Sequence, residues 1–294
     1  MLPRSLGRWL LVFAALALAS VLAFTACDDE EEEGVTPAEG ETPAAETPAA
    51  IDISGVPELQ DGVLNVGSDI AYAPLEFYQE GTEIEDGLDI DLAKAIAEAL
   101  GVEVEFLNTG FDGIIDALNT EEFDVIMSAM TIDADRSQQV DFVPYLNVGT
   151  GILVPAGNPD GIQELEDLCG LTIAVQLGTV QEKALDALND ETCGDNKVEK
   201  VTFDTNPLAV EDLRTGGSDA NFSDFPVAFL DAQESDGALE VVEPAPDPQP
   251  YGIALRKEAT ALKDVIQDAV DAIRASGEYD SILAKWELES TALQ

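Results

Sequence analysis

Histidine is missing from all 294 residues. It is the commonest general base near neutral pH and the commonest metal ligand. Serine–histidine and cysteine–histidine nucleophilic catalysis are therefore excluded, and no metal site or cofactor is expected. The groups left to do chemistry are carboxylates, three cysteines and a few cations: 60 Asp and Glu stand against 13 Lys and Arg, a net charge of −47. The cysteines are Cys27, Cys169 and Cys193. What a thiol does depends on its compartment, and the N-terminus addresses that question.

Arg4 and Arg8 precede an apolar run from Trp9 to Phe24, then Thr25, Ala26, Cys27 and an acidic block, Asp28 to Glu33. A basic start, an apolar middle and small residues before a cut describe a secretory signal. A cysteine just after that cut resembles a bacterial lipoprotein signal, in which the thiol receives diacylglycerol, although Phe24 stands where leucine is usual. A transmembrane anchor is the alternative, but the run falls short of the ~20 residues a bilayer needs. A plain secretory signal is the second alternative. With Cys27 lipidated, Cys169 and Cys193 form the remaining pair, and in an exported protein a disulfide is expected. Its closed loop would gain about 3.5 kcal/mol in the chain-entropy model. The other possibility is two free buried thiols.

Cleavage removes Arg4 and Arg8 but no acid, leaving 60 acids against 11 basic residues, a net of −49. Such a surface excludes nucleic acid and anionic headgroups as partners. It also suggests a high-salt or otherwise screened environment, because self-repulsion opposes a compact state. The hydrophobic fraction of 46% still supports a core.

Strands and helices downstream of the signal must position these groups. Residues 28–56 read as a tether: acids and repeated Thr-Pro steps, with no aromatic residue, cannot build a core. Folding is expected from near Pro57, and strands then alternate with helices. Val63–Gly67 is a strand. Asp89–Leu100 is a helix with Ile90, Leu92, Ala93, Ile96, Ala97 and Leu100 on one face and Gly101 as its stop. Val102, Val104 and Phe106 alternate with Glu103 and Glu105 as a strand with one wet face. Phe111–Asn119 is helical and Phe123–Met127 a buried strand. A second series runs through strand Leu171–Val175, helix Val180–Leu188, strand Val198–Phe203, helix Pro207–Arg214 and strand Leu239–Val242. Ile253–Leu255, a helix from Glu258 to Ala275 and Tyr279–Trp286 close the chain. Two such series predict an α/β protein of two lobes with mostly parallel sheets. Asn147–Ile152 and Pro244–Tyr251 lack helical periodicity and could link the lobes.

An ordered set of motifs then carries a resemblance. Gly87-Leu88-Asp89-Ile90-Asp91-Leu92-Ala93, Phe111-Asp112-Gly113-Ile114-Ile115, Phe123 through Thr131, Arg136, Val140-Asp141-Phe142, Pro144-Tyr145, Gly277-Glu278-Tyr279 and Lys285-Trp286 resemble extracellular solute-binding proteins of the polar amino-acid type, which serve ABC importers. The resemblance spans roughly Asp61 to Trp286. It implies a periplasmic-binding-protein-like fold whose two α/β lobes close on one ligand. The lobes are expected at 57–148 plus 249–294 and at 149–248, after a signal with its lipobox at 1–27.

The resemblance also implies roles. Arginine is scarce in this chain, and Arg136 falls at the family's carboxylate clamp, where a guanidinium offers two parallel donors. Ser128, Ala129, Met130 and Thr131 form the adjoining ligand loop, with the Thr131 hydroxyl in the clamp and Ala129 contributing through its backbone. Asp224 matches the acceptor for the α-ammonium in the second lobe. Gly178 and Thr179 open a helix whose backbone N–H groups favour an anion; Val180 stands where a second hydroxyl is common, so backbone contact is expected there. Asp69, Tyr72, Phe111 and Gln176 are expected to set specificity. Tyr72 and Phe111 would sandwich the ligand side chain, though a core role for Phe111 is an open alternative. Asp69 and Gln176 would meet its far end, disfavouring Asp and Glu as ligands because a buried unpaired carboxylate is costly.

The reading is a lipid-anchored, monomeric receptor on the outer face of the cytoplasmic membrane. It captures a polar or cationic amino acid such as Gln, Arg or Lys and delivers it to ABC permease subunits, without being an enzyme. The rivals are an exported dehydratase of the same fold acting on a cyclic acid, and the ligand-sensing module of a signalling system.

Overall fold

The computed structural model describes residues 50–242 and 248–293. The expected signal, Cys27 and the tether as far as residue 49 lie outside the described residues, as does 243–247 in the proline-rich passage.

The chain joins the fold before Pro57. Ile51 and Ile53 pack against the first core, and Val56 and Leu59 are buried in it. Gln60 Nε2 donates to the carbonyls of Ile53 and Val56 at 3.1 and 2.9 Å. The end of the expected tether is thus a packed segment, because its apolar residues find a surface that the sequence alone does not display.

The elements of the first half are β1 (Val63–Ser68), β2 (Ala71–Tyr72), β3 (Glu76–Tyr78), β4 (Glu85–Asp86), α1 (Leu88–Leu100), β5 (Glu103–Asn108), α2 (Ile114–Asn119), β6 (Val125–Ile126), α3 (Arg136–Gln139) and β7 (Val140–Val148). β1 lies parallel between β5 and β6, with Val66 opposite both Phe106 and Val125. α1 buries the expected stripe, and Gly101 ends it in the left-handed region at φ 73. α2 is shorter than its apolar pattern suggests. Gly113, left-handed at φ 94, precedes it, so Phe111 belongs to a loop. Of the expected strand Phe123–Met127, only Val125–Ile126 pairs.

Two residues beyond β7 the chain enters a second sheet through β8 (Thr150–Pro155). There follow β9 (Thr172–Gln176), α4 (Val180–Glu191), β10 (Glu199–Phe203), α5 (Asn206–Arg214), β11 (Ala220–Asp224), α6 (Phe225–Glu234) and β12 (Leu239–Val242). Its order is β10-β9-β11-β8-β12, with β8 antiparallel to both neighbours. β13 (Gln249–Arg256) then returns to the first sheet, antiparallel between β6 and β7, giving β5-β1-β6-β13-β7. α7 (Thr260–Ser276) and α8 (Glu278–Lys285) finish on that side. Each sheet has its own core: Leu64, Val66, Ile96 and Ile266 among others in the first, Ile152, Ile173, Leu185 and Phe222 among others in the second. Cys169, before β9, is bridged to Cys193, after α4, with Cα atoms 5.3 Å apart. The architecture is the expected two-lobed α/β fold, but the sheets are mixed and not mostly parallel. Each has two parallel and two antiparallel strand pairings, because β13 in the first and β8 in the second run against their neighbours.

Candidate functional site

The loop after β1 is set by side chains that hold its backbone. Asp69 N–H donates to Ser128 Oγ at 3.0 Å, and Ile70 N–H to Asn108 Oδ1 at 3.1 Å. The loop then turns through β2 and β3 and is clamped by the start of α1. Leu88 and Asp89 N–H donate to the carbonyls of Pro74 and Leu75 at 3.0 and 2.8 Å. This satisfies helix donors that have no partner within the helix. It also brings Gly87 so close that a Cβ there would lie 2.1 Å from the Leu75 carbonyl oxygen. Tyr72 and Glu76 are thereby fixed, both buried.

The loop after β6 adds Ser128, Ala129 and Thr131. Ala129 is left-handed at φ 45, an unfavourable region for a residue with a Cβ. Its N–H donates to Asp89 Oδ2 at 2.9 Å, which holds it there. Asp133 then accepts the Arg136 N–H at 2.7 Å and starts α3. The Arg136 side chain is buried, and it donates to the Thr131 carbonyl at 2.6 Å and, across the lobes, to the Gly178 carbonyl at 3.1 Å. Its guanidinium lies 5.2 Å from the Phe111 ring centroid. Burial draws its pKa below the ordinary value, partly offset by Asp133 and Asp224.

The second lobe contributes the ends of β9 and β11 and the start of α4. Thr179 caps α4: its Oγ1 accepts from Glu182 N–H at 3.2 Å and donates to the Gln176 carbonyl at 2.8 Å. Gln176 Nε2 reaches across to Asp69 Oδ2 at 2.6 Å. Asp224 accepts from the Tyr72 hydroxyl at 2.8 Å, again across the lobes, and from Gln181 Nε2 at 2.8 Å. The Tyr251 hydroxyl faces Asp224 without completing a hydrogen bond. Burial raises the pKa of Asp224, against the lowering effect of these donors and of Arg136. Burial likewise raises Asp69, moderated by Gln176.

These groups line one cavity between the lobes. Of the residues singled out from the sequence, Asp69, Tyr72, Phe111, Ser128, Ala129, Thr131, Arg136, Gln176, Thr179, Val180 and Asp224 line it. Two do not. Met130 is buried in a separate apolar cluster with Ile114, Leu118, Phe123 and Ile126. Gly178 offers its carbonyl to Arg136, and its N–H is taken by Glu182 Oε2 at 2.8 Å. The expected anion-binding N–H at Gly178 is therefore occupied by the protein's own carboxylate.

Two residues on the wall had no sequence signal. Gln181 is one polar residue in the first turn of α4. Glu76 is one glutamate in a chain full of them. Its Oε1 accepts from Ser128 Oγ at 3.0 Å, while its Oε2 is buried without a partner. Burial, reinforced by the neighbouring charge of Asp89, pushes the Glu76 pKa well above the carboxylate range. Asp89 lies behind it, accepting from Tyr145 Oη at 2.6 Å, and burial raises its pKa to about 7. The wall thus carries three carboxyl groups, Asp69, Glu76 and Asp224, and a single cation, Arg136.

The chain matches the model for bacterial extracellular solute-binding proteins, family 3, over residues 64–289. It is 30% identical over 285 residues to a probable histidine-binding protein of Neisseria gonorrhoeae, covering 96% of both chains. Among solved structures it resembles an ancestral arginine-binding protein bound to arginine, with 39% identity and a TM-score of 0.72, covering 76% of this chain and 98% of that one. It also resembles an ancestral amino-acid-binding protein described as a precursor of cyclohexadienyl dehydratase, with 38% identity and a TM-score of 0.70, covering 78% of this chain and 96% of that one. A match across most of the chain, joined to the two-lobed fold, places this chain in the bacterial extracellular solute-binding proteins, family 3.

Proposed function

We propose that the protein is the extracytoplasmic binding component of an amino-acid ABC importer, capturing a polar or cationic L-amino acid and delivering it to permease subunits in the membrane. One observation carries this reading: Arg136 and Asp224, from different lobes, line the same cavity. A zwitterion offers Arg136 its carboxylate and Asp224 its ammonium. A guanidinium suits the first because its donors match two carboxylate oxygens, and a buried carboxylate suits the second because it lacks a cationic partner of its own. The Thr131 hydroxyl adds to the carboxylate side. A ligand that joins the two charges favours the closed arrangement over the open one. The test is a melting-temperature screen of the twenty amino acids, where a ligand at 100 times its Kd adds about 2.7 kcal/mol. No shift with any of them overturns the proposal.

Anchoring through Cys27 and a monomeric state belong to the same reading. Mass spectrometry of the N-terminal peptide from membranes, and sedimentation of the soluble domain, test them. A second reading has one observation in its favour. A carboxyl group whose pKa burial pushes well above the carboxylate range, as at Glu76, suits acid catalysis, and one structural relative is described as a dehydratase precursor. Turnover of a cyclohexadienyl acid by the purified protein would establish that reading.

A further inference from the structure

Glu76 and Asp89 form a cluster that amino-acid capture by Arg136 and Asp224 leaves unused. Each keeps one carboxyl oxygen buried and without a hydrogen-bond partner, Oε2 of Glu76 and Oδ1 of Asp89. Each has its other oxygen occupied: Glu76 Oε1 by Ser128, and Asp89 Oδ2 by the Ala129 N–H and the Tyr145 hydroxyl. Glu76 is on the cavity wall and only 1% exposed; Asp89 is fully buried. Facing Glu76 are Asp89 from α1, Asp69 from the loop after β1, Tyr72 on β2 and Asp224 at the end of β11, with Tyr145 of β7 behind. Among the described residues Arg136 of α3 is the one cation on this wall. Two like charges in such a setting cannot both ionise.

We propose that Glu76 is the acceptor for a cationic ligand side chain, and that this cation displaces a proton held by the Glu76–Asp89 pair. Capture of a dibasic amino acid then releases a proton to solvent, and capture of a neutral one does not. The inference rests on the amino-acid reading of the site. The ligand carboxylate meets Arg136, its α-ammonium meets Asp224, and its far cation arrives at Glu76 as the proton leaves. Ser128 ties this end together, accepting from the Asp69 N–H and donating to Glu76. The raised pKa of both groups is consistent with a proton resident near neutrality. Affinity for a dibasic ligand should therefore rise with pH by up to roughly tenfold per unit while the free pair is protonated, and affinity for a neutral ligand should stay flat.

Calorimetric titration of the full protein tests this near neutral pH, in two buffers of different ionisation enthalpy. The ligands are L-arginine, L-lysine, L-glutamine and L-citrulline, the last a neutral counterpart of arginine. Release approaching one proton per arginine or lysine, and none for the neutral pair, is expected. Glu76→Gln should abolish the release and lower arginine affinity relative to citrulline by roughly 10- to 150-fold. Asp89→Asn should diminish the release while arginine still binds; it also keeps the test decisive if Glu76→Gln does not fold. Equal proton release for citrulline, an unchanged arginine-to-citrulline ratio in Glu76→Gln, or a proton count untouched by Asp89→Asn overturns the inference and leaves amino-acid capture standing. Binding of none of the four, with no melting shift from the other amino acids, overturns the amino-acid reading itself and this inference with it.

Discussion

Arg136 is held by its own backbone surroundings and not by an acidic partner, since its bonds go to the carbonyls of Thr131 and Gly178. A buried guanidinium so placed favours an incoming carboxylate. Arg136→Ala should weaken every amino acid alike, by on the order of 3–5 kcal/mol; native affinity by calorimetry contradicts the clamp. Lysine should not restore it, because a point charge cannot span two carbonyls and a carboxylate. Asp69 behaves differently. It meets Gln176 at 2.6 Å across the lobes, so it both closes the cleft and lines it. Asp69→Asn should cost a cationic ligand about 1.5–3 kcal/mol and a neutral one about 1 kcal/mol. A ligand profile that does not move would place Asp69 outside recognition. Both residues stood out in the sequence only through ordered motifs. Glu76 and Gln181 did not, because nothing local separates a wall residue from a solvated one.

At the scale of elements, the contact between α1 and the β2–β3 loop positions Tyr72 and Glu76. Gly87 makes it possible, at φ 129 and against the Leu75 backbone. Gly87→Ala should destabilise the protein by roughly 1–3 kcal/mol and weaken ligand binding as well. Urea unfolding at wild-type stability would show that the contact can relax. The disulfide acts elsewhere, tying the start of β9 to the end of α4 in the second lobe. Replacing both cysteines by serine should cost about 3.5 kcal/mol and leave ligand preference unchanged. Alkylation of the oxidised, folded protein should find no free thiol at Cys169 or Cys193. α6 escaped the sequence reading because Phe225 and Pro226 continue straight from β11, with Asp224 as the N-cap, leaving no intervening loop to mark a boundary.

At the scale of the whole molecule, buried carboxyl groups and net charge act together. Asp69, Glu76, Asp89 and Asp224 all have folded pKa values above their ordinary ones, burial being the first cause. Between the ordinary values and about 7, where Asp89 titrates, the folded state binds more protons than the unfolded one. Their contribution is present on the acid side and lost as pH rises through that window. The ligand-free melting temperature should therefore rise as pH falls from 8 toward 5.5. It should turn down only near pH 4, where carboxylates with lowered pKa such as Asp133 and Asp141 become protonated. Added salt should raise it at pH 7 by screening a net charge of −47. A melting temperature that climbs steadily from pH 5.5 to 8 contradicts this account.

The sequence by itself determined what depends on nearest neighbours along the chain. Local pattern outlined α1, α4 and α7 and the strands β1, β5, β9, β10 and β12, though not β7, β8 or β11; the absence of histidine removed whole classes of chemistry, and the cysteine count left one pair to bridge. Tertiary structure decided whatever depends on which distant segments meet. Tyr72 and Asp224 are 152 residues apart in sequence and 2.8 Å apart in space. β13 inserts antiparallel into a sheet begun by β1. Met130 turns away from the cavity that its neighbours line, and Glu76 acquires a wall position, a buried neighbour in Asp89 and a raised pKa. Periodicity reports which face of an element is apolar. It carries no information on what that face will touch, and burial beside another charge is a property of the contact alone.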